Sequence, residues 1–217
     1  MKVHIEVIYK TSKGAEAVFT SESLQGAHAL LIAEDFERTG RVKSIKFVDM
    51  YEQEWGLKKL KEYMKEYETE PHNITVYFDG GFDLGTKMAG LGCVVYYEQN
   101  GKSYRLRKNA KVEELESNNE AEYAALHLAL QEVEALGVHH MPITIIGDSR
   151  VVIHQLLDEW PCYEESLSSW ADRIEEKLKS LNIQPEYKAV SRKKNQEPDR
   201  LATQALKGVE VSSTIET

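Results

Sequence analysis

The chain has 217 residues, with 36 acidic and 27 basic side chains and a formal charge of −9. That length accommodates one domain plus a smaller one. A hydrophobic content of 41% and a charged content of 29% are ordinary for a folded soluble protein and exclude a disordered chain. The longest apolar run, near Ala27 to Ala33, is too short to cross a bilayer, so no membrane partner is expected. The opening residues MKVHIEVIYK alternate polar and apolar side chains instead of forming a signal-peptide block. Cys93 and Cys162 are the only cysteines and lack metal-motif spacing, which points to a reducing, cytoplasmic setting. Phosphate backbones are gripped by clustered Lys and Arg. In so acidic a chain, either nucleic acid is not the partner or some of the acids serve another purpose, such as holding metal.

Residues 1–54 read as a small α+β domain of ββαβ order. Val3 to Tyr9 alternates as a strand, Thr11 to Gly14 is a turn, and Ala15 to Thr20 returns. Ser23 caps a helix with Leu24, Ala27, Leu30, Leu31 and Ala33 on one face. Thr39-Gly40 ends it, and Val42 to Met50 forms the next strand. Residues 55–72, rich in Lys, Glu and Tyr with Leu57, Leu60 and Met64 at helical spacing, read as a connecting helix closed by Pro71.

The pattern then changes. Ile74 to Phe78 is a continuous β-branched and aromatic run, typical of a strand buried on both faces. Leu91 to Tyr97 and Ser103 to Lys108 complete a three-strand meander. A helix from Asn118 to Leu136 follows, then a strand from Ile143 to Ile146 and helices from Ser149 to Leu157 and Leu167 to Leu181. A short strand near Glu186 to Val190 precedes a last helix opening at Pro198. Strands first and then alternating helix and strand predict an α/β fold with a mixed five-stranded sheet flanked by helices over 73–207. Residues 208–217 read as a flexible tail.

Four carboxylates stand at unusual places in this pattern. Asp79 directly follows the first buried run; since Asp-Gly is a turn signal, the dipeptide alone reads as a turn. Glu122 lies four residues before Leu126 on the stripe that continues through Ala129, Leu130 and Val133, so helical phase points it at the core, while Glu120 points elsewhere and complements the helix N-terminus. Asp148 sits at the carboxyl end of a buried strand, where α/β sheets place ligands, and could equally cap the next helix. Asp199 shares a face with Ala202 and Leu206 and could equally complement a helix dipole. Core-directed acids are costly unless something positive lies among them. Crowding would raise their pKa values, and an all-oxygen set suits Mg²⁺ or Mn²⁺.

Four motifs now stand in order: Tyr77-Phe78-Asp79-Gly80-Gly81, Ser117-Asn118-Asn119-Glu120-Ala121-Glu122, Ile146-Gly147-Asp148-Ser149, and Asn195-Gln196-Glu197-Pro198-Asp199. Their order and placement resemble the type I ribonuclease H family over residues 73–207. The resemblance implies a ribonuclease H-like fold and cleavage of the RNA strand of an RNA–DNA hybrid, leaving a 5′-phosphate and a 3′-hydroxyl. It further implies two Mg²⁺ or Mn²⁺ ions, with Asp79 bridging them and Glu122, Asp148 and Asp199 completing the shells. Asn118 and Asn119 match the family's minor-groove contacts, where 2′-hydroxyls mark the RNA strand. Gly80 and Gly81 would let the substrate approach the backbone. Ser149, Arg192 and Asn195 match positions near the phosphate or the active site.

The chain departs from the family pattern in places. The stretch Val190-Ser191-Arg192 lacks the loop histidine of many members and is similar to an arginine-bearing variant. The loop Gly85 to Gly90 lacks the usual Asn and Pro, and the segment from Asp158 to Glu165 is acidic where a basic protrusion would grip the hybrid. The N-terminal domain lacks the Trp- and Gly-rich look of a hybrid-binding domain. It suits protein interaction or dimerisation, and nothing in its residues chooses. Two other readings stay open: a non-catalytic binding module on the same fold, and another nuclease of the superfamily. Adjacent His139 and His140, and helical His127 and His154, read as surface or packing residues; Trp160 and Trp170 read as core or groove aromatics.

Overall fold

The computed structural model describes residues 1–217. The chain forms two compact units, Met1–Thr69 and Glu70–Thr217. In the first, β1 (Lys2–Lys10) pairs antiparallel with β2 (Glu16–Thr20), with the two-residue β3 (Leu24–Gln25), and with β4 (Val42–Asp49), which also carries β5 (Glu54–Trp55). Alternation in β1 turns Val3, Ile5 and Val7 to one face. There they meet Phe47, the helix α1 (Gly26–Arg38) through Ala29 and Ala33, and the helix α2 (Leu57–Thr69) through Leu60. Expected as a connector, α2 instead seals this core.

The start of α1 also differs from expectation. It opens at Gly26 with Gln25 as an uncapped N-cap, not at Ser23. Gly26, Ala29 and Ala33 set the buried face, with Leu30 beside it, and this phase turns Leu31 outward. At Gly26 a Cβ would meet Met64 Sδ of α2 at 2.8 Å, so the helix starts on a glycine.

The second unit is built on a six-stranded sheet of order β10-β9-β6-β7-β8-β11. Its strands are β6 (His72–Asp83), β7 (Met88–Gln99), β8 (Lys102–Val112), β9 (Pro142–Gly147), β10 (Gln184–Ala189) and β11 (Ser212–Glu216). β6 runs parallel to β9 and β9 to β10, while the remaining pairs are antiparallel. Asn100 and Gly101, both at positive φ, make the tight turn between β7 and β8. The helices are α3 (Asn118–Ala135), α4 (Arg150–Leu156), α5 (Glu165–Ser180) and α6 (Gln196–Leu206).

Register separates the faces of this sheet. Phe78 opposes Cys93, and Gly80 opposes Leu91, on the face that packs on α3; Asp79 opposes Gly92, and Gly81 opposes Gly90, on the face that packs on α6. Close approach needs glycine on both sides. A Cβ at Gly80 would collide with the backbone of Ala121 in α3, and one at Gly92 with the Pro198 carbonyl in α6.

Two expectations change here. β6 continues through Asp79-Gly80-Gly81 to Asp83, so Asp79 is a mid-strand residue and not a turn residue. The ladder persists because Gly90 and Gly92 across from it leave room. The tail, expected to be free, forms β11 on the edge of β8, making the sheet six-stranded and not five-stranded. Buried Asn109 anchors it: its amide donates to the carbonyls of Leu201 and Val209, and its Oδ1 accepts from Val211 N–H at 2.7 Å.

Candidate active site

Three elements deliver the acids to one point. β6 brings Asp79 up through the middle of the sheet, β9 ends one residue before Asp148, and the first turns of α3 carry Glu122. Helix α3 starts where it does because the Ser117 hydroxyl accepts from Glu120 N–H at 3.2 Å, while the Glu120 carboxylate accepts from Glu116 N–H at 2.6 Å. Glu120 is therefore a first-turn capping acid, and it is as buried as Glu122 although its phase put it off the core-facing stripe. Glu122 instead accepts from Gly80 N–H at 3.2 Å across the helix–strand contact. At α4 the cap is Ser149, whose hydroxyl accepts from Val152 N–H, so the carboxylate of Asp148 is not spent on capping.

Carboxylate oxygens of Asp79, Glu122 and Asp148 lie within 4.8 Å of one another. Asp79 and Glu122 are 5% and 6% exposed, and water screens their charges little. Burial first, then the negative charges of Asp148 and Asp199, push the Asp79 carboxyl up to about 8. Burial first, then Asp79 and Asp148, push Glu122 up to about 9. Acids gathered this way either keep protons or take up a cation. Three convergent carboxylates, with no nitrogen or sulfur donor among them, fit a hard divalent ion such as Mg²⁺ or Mn²⁺.

The trio lies at the base of a cleft of about 300 Å³. Asp199 and Arg192 form one wall, joined by an ion pair of 3.5 Å; Asp199 belongs to the cleft but not to the tight trio. Gly80, Gly81, Asn118 and Ser149 also line it. Asn118 is positioned by its Oδ1, which accepts from Phe82 N–H at 3.2 Å. Asn119, one residue on, does not line the cleft.

Packing bears on two of the residues expected at the substrate. Asn195 is 1% exposed and stands behind the acids. Its amide donates to the Phe78 carbonyl at 2.8 Å and to Asp148 Oδ1 at 2.6 Å, so it positions Asp148 and does not face a ligand. Gly80 lines the cleft but lies against α3 and donates its N–H to Glu122, while Gly81 is the more open of the two. Thr203, four residues after Asp199, lines the cleft and was not singled out from the sequence; the helical i, i+4 spacing was the available signal.

Other candidates lie elsewhere. A larger cleft of about 720 Å³ is lined by Glu120, His127, Trp170 and Arg173, but it contains none of the converging acids. His127 meets the Trp170 ring edge-on, and burial lowers its pKa. His139 and His140 are exposed and contact each other, and His154 stacks on Trp160 beside Glu159.

Comparison with known proteins agrees with this arrangement. A family profile described as "Reverse transcriptase-like" matches residues 77–205. The uncharacterized protein YpeP of Bacillus subtilis (strain 168) is 43% identical over 206 residues, covering 95% of this chain and 90% of YpeP. Among solved structures, ribonuclease H1 from the archaeon Halobacterium salinarum NRC-1 is 26% identical with a TM-score of 0.53; the match covers 62% of this chain and 98% of that one. LC11 ribonuclease H1, isolated from compost by a metagenomic approach and solved with an RNA/DNA hybrid, is 25% identical with a TM-score of 0.55, covering 62% and 97%. Since the profile covers residues 77–205, more than half of the chain, and includes Asp79, Glu122, Asp148 and Asp199, the chain belongs to the reverse transcriptase-like family of ribonuclease H-like proteins.

Proposed function

We propose that this protein is a divalent-metal-dependent endonuclease that hydrolyses the RNA strand of RNA–DNA hybrids, leaving a 5′-phosphate and a 3′-hydroxyl. The observation that carries the reading is the convergence of Asp79, Glu122 and Asp148 within 4.8 Å at the base of an open cleft. Asp79, Glu122 and Asp148 would hold two Mg²⁺ or Mn²⁺ ions, with Asp199 completing the set from the cleft wall. Such ions supply an activated water and charge stabilisation at the leaving oxygen. Asn195 keeps the Asp148 carboxylate aimed into the cleft. Asn118 lines the cleft, which supports a role in contacting the groove where a 2′-hydroxyl distinguishes RNA from DNA. Gly81 and Ser149 leave room for the scissile backbone, and Arg192 offers it a positive charge; Asn119 stands beside Asn118 as a further groove contact.

The acidic connection from Leu157 to Glu164 offers no basic grip on the hybrid. Positive charge near the acids comes instead from the turn Arg192–Lys194. The test is a labelled hybrid incubated with Mg²⁺ or Mn²⁺, with duplex DNA and duplex RNA as controls. Wild-type protein should release short RNA fragments from the hybrid alone, and Asp148→Asn should release none. A folded wild-type protein inert with both metals sinks the reading. If that inert protein also shows no carboxylate-dependent metal binding by calorimetry, it is a binding module on this fold.

A further inference from the structure

The sheet of the first unit ends on one side at β2, which pairs only with β1 and whose five residues are all exposed. Backbone geometry decides what this edge offers. Ser21 N–H donates to the Ile5 carbonyl at 3.0 Å, and the Ala15 carbonyl accepts from Thr11 N–H at 2.8 Å. Inward and outward groups alternate along an antiparallel strand. Ala17 and Phe19 therefore turn their backbone groups to β1, and Glu16, Val18 and Thr20 present theirs to the outside. Edges of soluble sheets are usually guarded by Lys, Pro or a bulge. The strand Glu16-Ala17-Val18-Phe19-Thr20 has no Lys or Pro, its register with β1 is regular, and Val18 and Phe19 are 66% and 53% exposed.

The helices leave the same side bare. α2 packs on β4, and its Lys61 reaches Glu34 of α1 at 2.8 Å. β4 and β2 flank β1 on opposite sides, and α1 packs on β1, β3 and β4, so β2 lies on the side away from α2. Phe19, cross-strand partner of Val7, lies on the helix-bearing face and is exposed there, as is Ile32 of α1.

We propose that the first unit self-associates, with β2 pairing antiparallel to β2 of a second copy about a twofold axis through Val18. The strand is self-complementary in that register. Val18 meets Val18 of the second copy and the two exchange both backbone hydrogen bonds. Ala17 lies opposite Phe19, a small side chain beside a ring, and Glu16 lies opposite Thr20, so no like charges face each other. Glu16 is already matched within its own copy by Lys43 at 2.8 Å and Lys10 at 3.7 Å. A one-residue slip would offer backbone groups already bonded to β1. The product is one continuous sheet across two copies, with α1 and α2 of both on one face. Five paired residues a side give an interface at the small end of the specific range, below about 1,200 Å², so association depends on protein concentration.

Light scattering after size exclusion, on the full chain over a concentration series, tests it. The mass should rise from one chain to two. Val18→Pro removes only an outward N–H and leaves the β1 ladder intact, while Val18→Lys sets two positive charges together at the axis. Both variants should keep the wild-type circular dichroism and melting temperature and stay monomeric throughout. A second measurement does not depend on disrupting the strand: Val18→Cys in a Cys162→Ser background should cross-link to itself with a short bismaleimide, whereas Lys13→Cys in that background should not. A wild-type chain of single mass at every concentration overturns the proposal. So does a dimer that persists in Val18→Lys and fails to cross-link through position 18.

Discussion

Asn195 donates its side-chain amide to Asp148 at 2.6 Å and to the Phe78 carbonyl at 2.8 Å, joining the entry of α6 to two strands at the acid cluster. The amide is buried, so losing it leaves the Phe78 carbonyl unpaired and Asp148 free to swing. Asn195→Ala should cost about 1–3 kcal/mol of stability. It should also reduce hybrid cleavage by more than the stability loss accounts for, measured well below the melting temperature. Cleavage at the wild-type rate in a destabilised variant would reduce Asn195 to packing alone.

The raised pKa values of Asp79 and Glu122 carry a definite sign. In the unfolded chain these acids ionise near their ordinary values of 3.8 and 4.5, but in the folded protein they hold protons to about 8 and about 9. The folded state binds more protons across that window, so metal-free stability is full below the ordinary values and falls as pH rises through 8 to 9. Melting curves in chelator should fall with pH across this window, and added Mn²⁺ should recover more stability at the alkaline end. Glu122→Gln should flatten the chelator curve. An equally steep curve in that variant would refute the assignment.

Gly80 and Gly81 should respond differently to a methyl group. At Gly80 a Cβ collides with the Ala121 backbone, so Gly80→Ala should force α3 and Glu122 away and destabilise by about 1–3 kcal/mol. At Gly81 the nearest atom is Leu206 Cδ1 at 3.6 Å, an ordinary contact, and Gly81→Ala should unfold at nearly the wild-type denaturant midpoint. If substrate passes over Gly81, that well-folded variant still loses cleavage, chiefly through a higher KM.

Lys193 and Lys194 are exposed on the turn before α6 and line a hollow of about 200 Å³ with Tyr77 and Tyr96. These rings meet edge-on at 5.9 Å. If the turn holds the hybrid backbone, replacing both lysines with Ala weakens binding. The slope of log affinity against log salt then falls by about one for each lysine that had neutralised a phosphate. An unchanged slope would place the phosphate-binding groups elsewhere.

Much of the site could be read before the fold. Helical phase separated Glu122 from Glu120, because a 3.6-residue period alone assigns faces. The residues of the four motifs did arrive at one place, Asp79, Glu122 and Asp148 in contact range and Asp199 on the adjoining wall. The turn reading of Asp79 failed because Asp-Gly-Gly takes its conformation from the strand beside it: Gly90 and Gly92 lie across the ladder, some ten residues away in sequence.

What the amino-acid order determined by itself was local: the alternation of β1, the buried run of β6, the helical phase of Glu122 and the place of Asp148 at the end of β9. Tertiary structure decided everything that needs a distant partner. It assigned α2 to the first core through Leu60, turned the polar tail into β11 through Asn109, and took Asn195 out of the cleft to hold Asp148. It also brought three carboxyl groups together, an arrangement that burial makes costly in the ionised form and that kept protons or a bound cation would relieve. Proximity across the chain is a property of packing, and no local pattern encodes it.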